Sequence, residues 1–215
     1  TGHIGTQRQP IWHDLGACIA ISAREGELPG LQGPVTLRAD DSPAARRQVA
    51  KKFLAYLKTL QHRDMRALLQ RLSQEHAAVL DRLDHAGVEM LDWDQVRAMA
   101  AGGVEFGSHT VTHAILSKLD STELRDEVVR SKGMLEQELQ KPCDTIAYPV
   151  GRRFAYTDEA LAEVGLAGYR LGIAYDAGVN WAHAIDLFAL QRQSVELETT
   201  RAYFRTMLSL PTWFH

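Results

Sequence analysis

His109 and His113 stand four residues apart in the run Gly107-Ser108-His109-Thr110-Val111-Thr112-His113. On one helical turn that spacing brings two imidazoles to the same face, at a separation suited to a single divalent cation. Gly107 and Ser108 are small enough for the backbone to approach such a site, and the hydroxyls of Thr110 and Thr112 can bond locally to fix a turn. A zinc-protease arrangement needs glutamate directly after the first histidine as general base, and Thr110 excludes it. Two histidines make half a site, because a catalytic zinc takes three protein ligands and a water. The third ligand must come from elsewhere. The plain alternative is a pair of histidines at a surface or core edge that share no ligand. Their place behind Gly-Ser, at the end of the strand-like Val104-Glu105-Phe106, favours the site.

A second run with chemical potential is Pro149-Val150-Gly151-Arg152-Arg153, which follows Thr145-Ile146-Ala147-Tyr148, a second strand candidate. Pro149 sets the backbone of the turn and Gly151 permits close approach. Trp12, Trp93, Trp181 and Tyr148 are candidate platforms for stacking on sugars, although aromatic side chains mostly belong to cores. His3, His13 and His183 have no ligand spacing to another histidine, and Asp14 reads as a cap or structural acceptor. Asp40-Asp41 precedes a helix start and reads as capping. Between residues 46 and 71, eight basic side chains face the single acid Asp64, a local charge of +7. That stretch is a solvated helix face, or a contact surface for anionic glycan or membrane.

The elements that must position these residues alternate along the chain. Pro10 to Ser22 reads as a short helix, and Gly26 to Pro34 as a turn-rich loop. Ser42-Pro43 starts a helix carrying Val49, Phe53, Tyr56, Leu57 and Leu60 at helical spacing, and a second helical run spans Asp64 to His85. A short helix over 94–101 ends at Gly102-Gly103. Asp120 with Glu123 predicts a capping box, and Leu124, Val128, Leu135 and Leu139 form one stripe until Lys141-Pro142. A helix over 157–164, a strand within 167–174 and a closing helix over 199–208 complete the pattern. Strands separated by helices imply a parallel sheet or barrel with helices outside, and chemistry at the carboxyl ends of the strands.

Composition bounds the rest. With 215 residues, 45% hydrophobic and 24% charged, the chain reads as one globular domain, residues 1–215, able to bury a core without staples. Cys18 and Cys143 are too few for a disulfide framework. A formal charge of -3 argues against a general nucleic-acid binder. No stretch approaches the roughly 18 consecutive apolar residues of a membrane span. The first residues show no secretory signal, so the chain is expected to be processed or a fragment.

The run from Val104 to His113, with Leu116, Leu119 and Tyr148-Pro149-Val150-Gly151, resembles the polysaccharide deacetylase family, the carbohydrate esterase family four or NodB-homology domain. Gly2-His3-Ile4-Gly5, Trp12-His13-Asp14 and Leu190-Gln191-Arg192 are similar to a branch associated with bacterial exopolysaccharide biosynthesis. The resemblance implies a distorted (β/α) barrel that removes N-acetyl groups from amino sugars of an N-acetylated polysaccharide or oligosaccharide. It implies one divalent metal, usually zinc, held by an Asp and two histidines that match His109 and His113. A second Asp serves as base. The Val150 amide matches the oxyanion donor, and Tyr148, Pro149 and Gly151 fall at the substrate in that pattern; Trp181 is a candidate sugar platform on its residue type alone, and Arg192 either stabilises charge, contacts substrate or forms a structural salt bridge.

Departures from the family pattern are as informative. No Asp-Asp-Gly occurs in the chain, Ala147 stands where many members carry Arg, and Leu190-Gln191-Arg192 replaces a late Leu-x-His that supplies a general acid. The expectation is an N-terminally truncated domain lacking its first strand and two carboxylates, prone to aggregate alone through exposed strand edges. Three function classes follow: the deacetylase, an inactive relative that binds glycan or a partner, and a helical interaction module with incidental histidines. The compartment, oligomeric state and sugar are not specified by these residues.

Overall fold

The computed structural model describes residues 1–5, 10–23, 28–30, 42–75 and 90–210. These fall into two compact units, where the sequence reads as one domain: residues 3–92, and residues 1–2 together with 93–215. Asp40-Asp41 and most of the turn-rich stretch 26–34 lie outside the described residues.

The first unit is helical. α1 (Trp12–Ser22) packs with α2 (Pro43–Leu57) and α3 (His62–Glu75). Ser42 caps α2, its hydroxyl accepting from the Ala45 amide at 3.2 Å, and Pro43 opens the first turn. Trp12 and Ile19 from α1, Phe53 and Leu57 from α2, and Met65 and Leu69 from α3 are buried. Each such side chain contributes roughly 1.5–3 kcal/mol over leaving it in water. The basic residues between 46 and 71 are exposed or half-buried, as a solvated face requires. α3 begins two residues earlier than the sequence suggests, and the remainder of the expected run, 76–85, is outside the described residues.

The second unit carries the parallel strands. β1 (Thr145–Ala147) pairs with β2 (Leu171–Ile173), with Ile146 opposite Gly172. Ser108 bridges Ile146 on one side and Leu190 bridges Ile173 on the other, both parallel. Four segments therefore run the same way in sequence order. Val104-Glu105-Phe106, expected as a strand, forms no pairing among the described residues. Val104 and Glu105 are exposed there, and the hydrogen bonds begin only at Ser108, whose N–H reaches Thr145 O at 2.8 Å. The likeness to a β/α barrel thus rests on parallel strands alternating with helices.

After α4 (Trp93–Ala101), the helix that connects Ser108 to β1 is α5 (Ser121–Leu139). Its capping box is present: Asp120 accepts from Thr122 and Glu123 amides at 3.0 and 2.9 Å, and Glu123 accepts from the Asp120 amide at 3.1 Å. It stops at Gln140, left-handed at φ 52°, just before Lys141-Pro142. α6 (Asp158–Leu166), capped by Thr157, connects β1 to β2. Leu124, Val128 and Leu135 of α5 meet Ile146, Tyr148 and Val164 in one buried core. α7 (Arg201–Ser209) closes the described chain. Among the described residues no helix is long and apolar enough to cross a membrane.

Candidate active site at the carboxyl ends of the parallel segments

Every candidate with a chemical role leaves the same end of this parallel array. His109 and His113 follow Ser108, Pro149 to Gly151 follow β1, Tyr175 follows β2, and Arg192 follows Leu190. This is the end at which parallel α/β folds place their chemistry.

The histidine rings meet, with centroids 4.8 Å apart and planes at 79°. A helical turn is not what joins them. Thr110 and His113 adopt left-handed backbone, φ 65° and 60°, and the intervening residues form a bend. A β-branched residue such as Thr110 pays for that conformation, so surrounding contacts must hold it. Val111 and Thr112 amides donate to Glu127 Oε2 at 2.7 and 2.9 Å, and Thr112 Oγ1 donates to Oε1 at 2.6 Å. The Thr110 carbonyl accepts from the Thr1 nitrogen at 2.7 Å, and Val111 O from the Gly2 amide at 2.9 Å.

His109 is half-buried, and burial is the main cause that draws its pKa below the ordinary histidine value. The Arg192 guanidinium pushes the same way, while the bond to Ala147 opposes. Nδ1 lies 2.6 Å from Ala147 O, an acceptor only, so Nδ1 carries the proton and donates. Nε2 is left with the lone pair. A neutral imidazole whose second nitrogen is tied to a carbonyl is the form in which histidine binds metals. Among the described residues no group of three His, Cys, Asp or Glu is placed to hold an ion. The donor set is therefore two imidazoles, which suits a divalent cation and needs a further ligand.

Gly151 N–H reaches back to Pro149 O at 2.7 Å, closing a three-residue turn on Val150. Val150 and Gly151 are both left-handed, each at φ 63°. For a β-branched residue this is rare and costs of order 1–3 kcal/mol. The Val150 amide donates to no acceptor among the described residues. A Cβ on Gly151 would lie 2.8 Å from Tyr175 N, so the close approach that this glycine permits is that of Tyr175.

Arg192 lies over the Tyr175 ring, its guanidinium carbon 4.6 Å from the centroid, and Arg152 lies 5.2 Å from the same centroid. Neither forms an ion pair among the described residues. The Tyr175 hydroxyl is anchored on Glu196 at 2.6 Å.

Two sequence-based placements change. Tyr148 presents no stacking face: it is 1% exposed, packs on Tyr156 at 5.0 Å between centroids, and donates to Phe188 O at 2.6 Å. Burial pushes its phenol pKa well up. Pro149 is likewise fully buried, so its part is to shape the turn. Trp181 is half exposed and lines a cleft of ≈ 480 Å³ with Arg153, Asp158, Asp176, Asp186 and Gln191. None of the two histidines, Val150 and Arg192 lines that cleft.

Glu127 and Tyr175 escaped the sequence reading. The signal for Glu127 was available: it lies three residues after Leu124 and four before Ser131, on the apolar stripe, where a charged residue demands a partner.

Residues 29–172 match the polysaccharide deacetylase family model, and the chain belongs to that family. It is 31% identical over 85 residues to YxkH of Bacillus subtilis (strain 168), named for polysaccharide deacetylase, covering 40% of this chain and 29% of that protein. The structure is similar to the Streptococcus pyogenes deacetylase PplD in complex with acetate, at TM-score 0.51 and 26% identity, over 57% of this chain and 53% of that one. It is also similar to BC0361, a polysaccharide deacetylase from Bacillus cereus, at TM-score 0.49 and 25% identity, over 56% and 37%. The chain thus spans less than two thirds of the length of these relatives.

Proposed function

We propose that this chain forms part of a metal-dependent hydrolase that removes N-acetyl groups from amino sugars of a polysaccharide. The observation that carries the reading is the meeting of two imidazoles, 4.8 Å between ring centroids, at the end of the parallel array where the Val150 amide has no acceptor among the described residues. His109 and His113 are the metal ligands in this reading. A divalent ion held by His109 and His113, zinc by family habit, would supply Lewis-acid polarisation and make a water more acidic. The family pattern would supply the third ligand and the general base from two Asp residues, and among the described residues no third His, Cys, Asp or Glu is placed with the two histidines.

His109 contributes Nε2, its tautomer fixed by the Ala147 carbonyl. The Val150 N–H is the donor for the oxygen of the acetyl carbonyl as negative charge develops there, and it meets no acceptor among the described residues. Arg192 adds positive charge beside the site, held by Tyr175. Trp181 offers a partly exposed ring to a sugar in the neighbouring cleft. The acetate bound to PplD is the small product that such a reaction releases, which supports the same chemistry here.

The test uses the longest natural product that contains this chain. Acetate release from an N-acetylated polysaccharide and zinc content are measured for the parent and for His109→Ala and His113→Ala. Each variant is expected to lose zinc retention and acetate release together. Full zinc occupancy in either variant overturns the ligand assignment.

A further inference from the structure

The loop that carries both histidines is wrapped around a carboxylate from a different element. Glu127 sits on α5, is 7% exposed, and spends both oxygens on the loop: Oε2 on the consecutive amides of Val111 and Thr112, Oε1 on the Thr112 hydroxyl. Two successive amides turned toward one oxygen form a concave anion nest, and here the anion is built in. The nest lies between the left-handed residues Thr110 and His113, the two positions that turn the chain so that the rings meet. One turn further along α5, Ser131 holds the other end of the loop. Its hydroxyl takes that of Ser108 at 2.7 Å, and Ser108 Oγ accepts from the Thr110 amide at 3.3 Å. The i, i+4 pair Glu127 and Ser131 thus grips the loop on both sides of His109.

We infer that Glu127 is a positioning residue: through the Val111 and Thr112 amides it sets the separation of His109 and His113, and Ser131 assists from the other end. This rests on the reading of the two histidines as metal ligands only for its consequence on affinity. The geometric part stands without a metal. Without the carboxylate, three donors on the bend between the left-handed Thr110 and His113 lose their acceptor, and the bonds from Thr1, Gly2 and Ser108 to Thr110 and Val111 are what remain on its first half.

The experiment compares the full chain with Glu127→Gln and with Thr112→Val, which removes one of the three bonds and threatens the fold less. The first readout, in metal-free protein, is the ring-to-ring nuclear Overhauser effect between His109 and His113, with amide exchange at Val111 and Thr112. Glu127→Gln is expected to weaken the ring contact and speed exchange at both amides, and Thr112→Val to do so to a smaller extent. An unchanged ring contact in a folded Glu127→Gln protein, or in Thr112→Val should the first variant not fold, overturns the inference. The second readout is affinity for zinc alone, by competition with a chromophoric chelator. A loss of about 10–100-fold is expected in Glu127→Gln, the usual cost of removing a group that orients metal ligands. A parent chain that binds no zinc contradicts the metal reading, and the ring contact still decides the positioning role.

Discussion

Gly172 in the middle of β2 is the place where a single methyl group has the most to disturb. A Cβ there would lie 2.1 Å from the Tyr148 hydroxyl and 2.5 Å from Phe188 O, the two atoms that share a 2.6 Å hydrogen bond. Carbon does not approach oxygen so closely, so in Gly172→Ala the phenol has to retreat by more than about 1 Å, which breaks the bond. Overpacking of this kind costs about 1–3 kcal/mol, and leaving a buried donor and acceptor unpaired costs about 1–3 kcal/mol more. The expected loss is therefore about 4 kcal/mol, read as the shift in urea midpoint at constant slope. Tyr148→Phe alone removes the hydroxyl and strands Phe188 O, for about 1–2 kcal/mol. Because both substitutions break one bond, the double variant is expected to lose less than the sum by about 1–2 kcal/mol. Rescue is incomplete, since the Tyr148 ring carbon at 2.9 Å and Phe188 O remain in the way. Tyr148 immediately precedes the Pro149-Val150-Gly151 turn, so the proposed acetate release is expected to fall with stability in Gly172→Ala. A Gly172→Ala protein within about 0.5 kcal/mol of the parent, or a strictly additive cycle, would refute the reasoning.

The turn and the acid limb of stability give two further expectations. Gly151→Ala adds a Cβ 2.8 Å from Tyr175 N and 2.9 Å from Tyr148 O at a left-handed residue, so a loss of about 2–4 kcal/mol is expected; a melting temperature equal to the parent's would speak against that turn. The Glu136 carboxyl is held below the usual carboxylate range by the Cys143 amide and then by Lys132. Its contribution is present above the unfolded carboxylate pKa of about 4.3 and is lost as pH falls through the lower folded value. Glu136→Gln is expected to cost under about 1 kcal/mol at pH 6 and progressively less as pH falls below the ordinary carboxylate range, this group being partly solvated; urea midpoints whose difference does not shrink with acid would contradict the assignment.

What the sequence made legible was whatever is decided locally. The bounds of α5 follow from Asp120 and Glu123 at one end and Lys141-Pro142 at the other, each acting within a turn of itself. β1 and β2 sit inside the short apolar runs that predicted them. The meeting of His109 and His113 was readable from spacing, but its geometry was not. Thr110 disfavours the left-handed region on intrinsic grounds, and contacts distant in sequence, among them Glu127, 16 residues from Val111, make it tenable. Tyr148 shows the opposite error: an aromatic residue beside a loop suggests stacking, whereas the missing side chain of Gly172 opens a hole in β2 that the phenol fills. Such complementarity across 24 positions of sequence leaves no mark on either residue alone.

The left-handed residues Thr110, His113 and Val150 place the stability of the chain in opposition to the arrangement of its site. At each of them glycine relaxes the backbone, and each relaxation removes a ring or frees a turn on which the proposed chemistry depends. A laboratory selection for heat resistance alone would therefore collect replacements at these three positions early. Its winners would be sturdier proteins with the site dismantled, and screening for acetate release alongside survival would be the way to keep both.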